Sequence, residues 1–133
     1  MSDAKRVVQE YCDLMVQRDA EALRPYLADD VVYQNAGMPA AVGVDAVVEN
    51  MAGQFSMLPC YEYKTCTIVA EGDVVMNERL DYVPGPNGPV GLPVMGTFVV
   101  RDGKIARWTD YWDTGLLGKL MSGEDTSALV PTY

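Results

Sequence analysis

No histidine occurs anywhere in this chain. That absence excludes Ser–His and Cys–His nucleophile systems and histidine-ligated metal sites. A general acid or base must then be Asp, Glu, Tyr, Lys or Cys. Cysteine is scarce too. Cys12, Cys60 and Cys66 are odd in number and follow no metal or redox spacing, so they read as small apolar residues in a reducing compartment. Positive charge is short, with 10 Lys and Arg against 19 Asp and Glu, giving a formal net charge of −9 and a pI near 4.3. Nucleic acid and anionic membranes select for basic patches, so neither is expected as a partner. No apolar run approaches the length of a membrane span. Met1-Ser2-Asp3-Ala4-Lys5-Arg6 lacks the apolar core of a signal peptide, which leaves a cytoplasmic location as the expectation.

What is present fits one globular domain over residues 1–133, with 49% hydrophobic and 22% charged residues. Ala4, Val8, Tyr11, Cys12 and Met15 recur at helical spacing, predicting a helix from Asp3 or Ala4 to about Arg18. Asp19 reads as the N-cap of a short second helix carrying Leu23, Tyr26 and Leu27, which Pro25 should shorten or bend. Val31 to Gln34 reads as a short strand, Asn35 to Gly43 as a loop, and Asp45 to about Met57 as a third helix closed by Pro59. The pattern then turns to β: Tyr61–Glu71, Val74–Val83, Val90–Arg101 and Lys104–Trp112. Glu71-Gly72-Asp73, the loop Pro84 to Pro89, and Asp102-Gly103 join these strands. Pro93 should make the third of them irregular or edge-like. Asp113 reads as the N-cap of a short helix over Leu116 to Met121, followed by the tail Ser122 to Tyr133 (domain residues 122–133), which could be loose or pack on its own domain or on a partner. Helices first and consecutive antiparallel strands after make an α+β plan, with N-terminal helices on one face of a curved, mostly antiparallel sheet.

Strand parity gathers the chemistry. In Asn77-Glu78-Arg79-Leu80-Asp81-Tyr82, Arg79 and Asp81 share a face with Val83, while Met76, Leu80 and Tyr82 take the other. Leu92, Val94 and Phe98 share a face of the next strand, and Trp108, Asp110 and Trp112 of the last. Three charged groups among apolar walls have the composition of a small-molecule pocket. On spacing alone, the commoner outcome is a solvated cross-strand ion pair with Asp110 at its rim. Tyr33 and Asn35 point the same way at the end of the first strand. Alone, they read as a core tyrosine and an asparagine starting a turn.

Tyr33-Gln34-Asn35, Asn-Glu-Arg-Leu-Asp at 77–81 and Trp-Thr-Asp-Tyr-Trp-Asp at 108–113, in this order, resemble the limonene-1,2-epoxide hydrolase family of the NTF2-like (SnoaL-like) superfamily. The resemblance runs from about Ala4 to Leu120 and includes the helix start Gly43-Val44-Asp45-Ala46-Val47. It implies the cone-shaped (cystatin-like) fold, a homodimer, and a hydrolase that needs no cofactor and no metal. It implies Asp110 as general base, Asp81 as general acid and Arg79 as the bridge between them, with Tyr33 and Asn35 holding the attacking water. The loop Ala36-Gly37-Met38-Pro39 lacks the proline that family members often carry two residues after the asparagine.

Such chemistry suits these residue types. Opening an epoxide to a vicinal diol takes a proton from water and gives one to the ring oxygen. Two carboxyls in opposite protonation states do both, and an arginine between them stabilises the single negative charge. Met15, Leu58, Val83, Leu92, Val94 and Trp112 would wall a pocket for an apolar, including a cyclic, epoxide. Two rivals stand beside this reading. One is a ketosteroid-isomerase-like or polyketide-cyclase-like enzyme of the same fold, which needs an aspartate base and neutral donors for an enolate oxygen. The other is a non-catalytic small-molecule-binding domain, which accounts for an apolar cone but not for three charges inside it.

Overall fold

The face of the first helix that carries Ala4, Val7, Val8, Tyr11 and Cys12 is buried, as its spacing requires. In the computed structural model, which describes residues 3–57 and 61–133, α1 spans Asp3–Asp13 and tightens into a 3-10 turn, Leu14–Gln17. Arg18 ends it in the left-handed conformation at φ 55°. Asp19 caps α2 (Ala20–Leu23) by accepting from the Glu21 amide. Pro25 confines that helix to four residues followed by a 3-10 turn, Arg24–Tyr26. Leu27, expected on this helix, instead opens strand β1 (Leu27–Asn35), so the first strand is far longer than Val31 to Gln34. The expected loop after it holds a two-residue strand, β2 (Ala41–Val42), which pairs back on Val32 and Tyr33. Helix α3 follows at Val44–Met57, and Pro59, expected to close it, lies outside the described residues.

Four strands then run in succession: β3 (Tyr63–Glu71), β4 (Val74–Gly85), β5 (Gly88–Arg101) and β6 (Lys104–Tyr111). Tyr61 falls just before β3 rather than within it. The expected loop Pro84 to Pro89 is mostly ladder. Pro84 pairs with Pro89 and Gly85 with Gly88, so the β4–β5 hairpin continues to its tip. Glycine permits this, because a Cβ on Gly85 would sit 2.8 Å from the Gly88 carbonyl oxygen. At Asp102-Gly103 both residues have positive φ, 52° and 75°, matching the twist of a two-residue hairpin. Pro93 lies on the part of β5 that β6 does not reach, since their pairing begins at Met95, so its missing N–H costs no ladder bond on that side. Asp113 caps α4 (Thr114–Ser122) by accepting from the Leu116 amide at 2.8 Å. In the tail, Leu129, half exposed, lines a shallow pocket with Leu116 and Lys119 of α4.

The strand order is β2-β1-β6-β5-β4-β3, antiparallel except where β1 meets β6. The architecture is α+β, as expected. Side chains of α1 and α3 meet Val31, Val75, Phe98, Ile105 and Trp108 from the sheet in one buried core. A smaller cluster under α4 joins Leu92, Val94 and Leu120. The far face of the sheet carries exposed apolar side chains, among them Val69, Met76, Met95 and Tyr111.

Candidate active site

Register brings together residues that are far apart in sequence. Asn77 stands opposite Gly96, Gly96 opposite Asp110, and Asp110 opposite Asn35, a row crossing β4, β5, β6 and β1. Side chains in such a row share a face. Tyr63, Asp81 and Leu92 form a parallel row. Arg79 lies between the two, and its guanidinium leans across the bare backbone of Gly96 to reach Asp110. A Cβ at position 96 would lie 2.4 Å from Arg79 Nη1 and 2.9 Å from Asp110 Oδ1. A glycine is therefore required there by close approach rather than by an unusual φ.

A guanidinium has five N–H donors, and Arg79 uses all of them. Nε and Nη2 donate to the two oxygens of Asp81 at 2.9 and 2.8 Å. Nη1 and Nη2 donate to the two oxygens of Asp110 at 3.2 and 3.0 Å. The second Nη1 hydrogen goes to Asn77 Oδ1 at 3.1 Å. The cluster is buried: Arg79 is 0%, Asp81 4% and Asp110 3% exposed. This overturns the solvated surface pair that spacing alone favoured. The Tyr63 ring supports the cation from one side, its centroid 4.3 Å from Arg79 Cζ. Asn77 is held in turn, donating to the Cys12 sulfur at 3.6 Å.

Each carboxyl is left in a different condition. Asp110 Oδ1 accepts from both Arg79 Nη1 and Trp108 Nε1, the latter at 2.8 Å, so its lone pairs are filled. Asp110 Oδ2 accepts one bond and keeps a lone pair. Asp81 is pushed up to about 6, chiefly by burial; Arg79 works against the rise and the charge of Asp110 adds to it. Two carboxylates around one cation carry a net negative charge in a buried place, so a proton is retained near pH 6. Burial opposes the charge on Arg79, but Asp110 and Asp81 outweigh it and hold its pKa above the ordinary value.

Beyond this cluster opens a cavity of about 290 Å³. Asp81, Asp110, Tyr33, Asn35, Gln54 and Tyr61 all line it. Val83, Leu92, Val94 and Trp112 wall it, as their parity suggested, together with Met38 and Leu117. Met15 is not among the lining residues. It is fully buried in the main core, since the 3-10 turn aims it under the sheet rather than at the cavity mouth. Leu58 lies outside the described residues. Trp112 Nε1 donates to Asn35 Oδ1 at 2.9 Å, and Asn35 Nδ2 donates to the Tyr33 hydroxyl at 3.1 Å. The Tyr33 ring stacks on Trp108 at 3.9 Å, and its phenol is pushed up to about 12, first by burial and then by Asp110.

Sequence reasoning thus assembled Arg79, Asp81, Asp110, Tyr33 and Asn35, and missed Asn77, Gly96, Gln54, Tyr61 and Tyr63. Asn77 was legible, because it shares the parity of Arg79 and Asp81. Gly96 was not, since nothing in the sequence says which side chain crosses it. A larger groove of about 720 Å³ lies between α2 and α3, but its Arg24 and Asp45 pair with each other in solvent and no buried polar groups converge on it. Among the described residues, no three His, Cys, Asp or Glu side chains are placed to hold a metal ion. No described helix is long and apolar enough to cross a membrane.

Known proteins resemble this chain in sequence and fold. The chain is 32% identical over 110 residues to the epoxide hydrolase EphG of Mycobacterium tuberculosis, covering 80% of this chain and 70% of that one. The structure of an LEH-like epoxide hydrolase of M. tuberculosis superposes with a TM-score of 0.81 at 28% identity, covering 98% and 97% of the two chains. A protein of ketosteroid isomerase-like fold from Catenulispora acidiphila, at 18% identity and a TM-score of 0.79 over 94% and 97% of the chains, shares the fold alone. Residues 8–108 match the SnoaL-like domain. The chain belongs to this SnoaL-like (NTF2-like) family, in the branch of the limonene-epoxide-hydrolase-like proteins.

Proposed function

We propose that this protein is an epoxide hydrolase that adds water to an apolar, including a cyclic, epoxide in one general acid/base step. The observation that carries the reading is Arg79, buried and using every donor it has, with the two aspartates it bridges opening on the same cavity. An arginine with no donor to spare does not bind substrate; it sets the charge of its two partners. Asp110 is the base, acting through Oδ2, whose lone pair remains available. Asp81, raised by burial, is the acid.

Water fits between these groups by count of donors and acceptors. Its oxygen receives the Tyr33 hydroxyl proton, and its two hydrogens go to Asp110 Oδ2 and Asn35 Oδ1. One lone pair is left for the epoxide carbon. The carbon–oxygen bond to water forms as the ring C–O bond breaks. One proton moves from water to Asp110 and another from Asp81 to the ring oxygen, and Arg79 lies against the negative charge before and after. The walls Val83, Leu92, Val94 and Trp112 offer no hydrogen-bonding group to the rest of the substrate apart from the indole, already bonded to Asn35.

The test is a single turnover with enzyme in excess, in water enriched in the heavy oxygen isotope. Direct attack puts the label in the diol on that first turnover. A covalent ester would give unlabelled diol first and leave heavy oxygen in the peptide holding Asp110 or Asp81, which would overturn the mechanism.

The same reading includes a homodimer joined through the outer sheet face. There Val69 stands opposite Met76, and Met95 opposite Tyr111, all about half exposed. Sedimentation should give twice the chain mass, and Met95→Asp should halve it.

A further inference from the structure

Around the cavity, the hydroxyl and amide groups form a chain whose direction can be worked out. The Trp112 indole only donates, so Asn35 must turn Oδ1 toward it and present Nδ2 to Tyr33. On the other side, Gln54 Nε2 donates to the Tyr33 hydroxyl at 3.4 Å and to Asn50 Oδ1 at 2.8 Å. Gln54 Oε1 accepts from Tyr61 at 3.1 Å, and the Tyr61 and Tyr63 hydroxyls lie 3.1 Å apart. In this orientation every proton of the branch has an acceptor: Tyr63 gives to Tyr61, Tyr61 gives to Gln54, and the chain ends on a carbonyl. Turning the Gln54 amide over would make Tyr61 accept from it. One phenol proton, that of Tyr61 or that of Tyr63, would then have no acceptor among the described residues, and Tyr33 could donate to Gln54.

We propose that Gln54 is a positioning residue that forces Tyr33 to donate into the cavity. A phenol oxygen has two lone pairs, and Asn35 Nδ2 and Gln54 Nε2 fill both. The Tyr33 proton is left with Asn35 Oδ1 at 3.5 Å, a poor partner already engaged by Trp112, or with an oxygen bound in the cavity. Gln54 hydrogen-bonds Tyr33, Asn50 and Tyr61 and neither of the aspartates; it acts through Tyr33. This assignment rests on the hydrolase reading, in which that oxygen belongs to the attacking water.

Gln54→Glu tests it with little change of shape. The introduced carboxylate only accepts, so the Tyr33 proton turns toward it and away from the water. We expect kcat/KM to fall about tenfold or more near neutral pH, roughly the value of one hydrogen bond in the barrier. Relative to the parent at the same pH, activity should recover on acidification, when the introduced group takes a proton and can donate again. Gln54→Met, which removes the bonds without reversing them, should lose less than Gln54→Glu. The titratable groups facing this position are Tyr33, Tyr61, Asp81 and Asp110 around the cavity, with Arg79 behind the aspartates. A new negative charge acting on Asp81 would raise its pKa further and move activity toward alkaline pH, the opposite direction. Recovery at alkaline pH, or Gln54→Met falling below Gln54→Glu, overturns the proposal.

A second readout does not depend on turnover. The Tyr33 hydroxyl proton, identified in the NMR spectrum by its loss in Tyr33→Phe, should move downfield in Gln54→Glu and return on acidification. An unmoved resonance overturns the proposal. If the wild-type protein forms no diol from any epoxide, the hydrolase reading fails, and this resonance alone decides the role of Gln54.

Discussion

Arg24 and Arg79 each stand between two acidic side chains. Arg24 bonds Glu21 at 2.9 Å and Asp45 at 2.6 Å; Arg79 bonds Asp81 at 2.8 Å and Asp110 at 3.0 Å. Residue types and distances are nearly the same, yet Glu21 and Asp81 respond in opposite directions. The hydrogen bond from Arg24 pulls Glu21 below the ordinary carboxylate value. Asp81, although held by two bonds from its arginine, is pushed up, because burial outweighs the cation. Glu21 is 69% exposed at its side chain and Asp81 only 6%. Water screens the first cluster and leaves it structural, whereas its exclusion from the second leaves a carboxyl that still has a proton to give near pH 6.

Replacing one acid in each cluster should separate them most. Asp110→Asn should keep the fold and lower epoxide turnover by several orders of magnitude, since an amide takes no proton. Asp45→Asn should leave turnover unchanged. Steady-state rates on one epoxide check both, and an Asp110→Asn enzyme with about a tenth of the parent rate, only about 1.4 kcal/mol in the barrier, would remove Asp110 from the role of base.

The arginines come next. An ammonium is a point charge and cannot bond two carboxylates and Asn77 together, so Arg79→Lys should lose about a hundredfold or more in kcat. Arg24→Lys should change neither kcat nor the melting temperature measurably. Equal rates for Arg79→Lys and the parent would make the buried cluster as structural as the exposed one.

Gly96→Ala sharpens the contrast without altering a charge. The added methyl meets Arg79 Nη1 at 2.4 Å, and overpacking of this kind costs about 1–3 kcal/mol. We expect a lower unfolding midpoint and roughly tenfold lower kcat. Unchanged values for both would mean that the cluster shifts freely.

The smallest effect is on stability against pH. The folded value of Asp81 lies above its unfolded value, so its contribution is fully present below about pH 4 and is lost as pH rises through about 6. Glu21 has the opposite sign: its contribution is present above the unfolded value and lost on acidification, and salt weakens it. Urea unfolding at a series of pH values should show a flatter profile between about pH 4 and 7 for Asp81→Asn. Glu21→Gln should change the profile only at the acid end, and less at high salt. On activity, kcat/KM of the parent should decline as pH rises through about 6 and the Asp81 proton is lost.

Much of this is legible in the residues alone. The two-residue period of β4 put Arg79, Asp81 and Val83 on one face, and the same period put Trp108 and Asp110 together on β6, because alternation is a local property of an extended chain. The cap residues Asp19 and Asp113 were legible for the same reason. Elements whose ends depend on partners were not. Leu27 was expected on a helix and lies in a strand, because β6 pairs with it; the tip of the β4–β5 hairpin was expected to be a loop and is ladder, because each strand continues the other. Met15 had the composition of a pocket wall and is core, a difference set by how a 3-10 turn points its side chain.

The sequence by itself narrowed which groups could do acid/base work, since a chain without histidine leaves Asp, Glu, Tyr, Lys or Cys for it, and determined which of them share a strand face. Tertiary structure decided everything that depends on two strands at once. Register placed Asn77, Gly96, Asp110 and Asn35 in one row, the bare backbone of Gly96 let Arg79 cross to Asp110, and α3 brought Gln54 over Tyr33. Above all it decided burial. The same arginine between two acids is a solvated cluster at Arg24 and a buried, proton-holding one at Arg79, because the energy of a charge depends on the medium around it, and that medium is made by the whole fold.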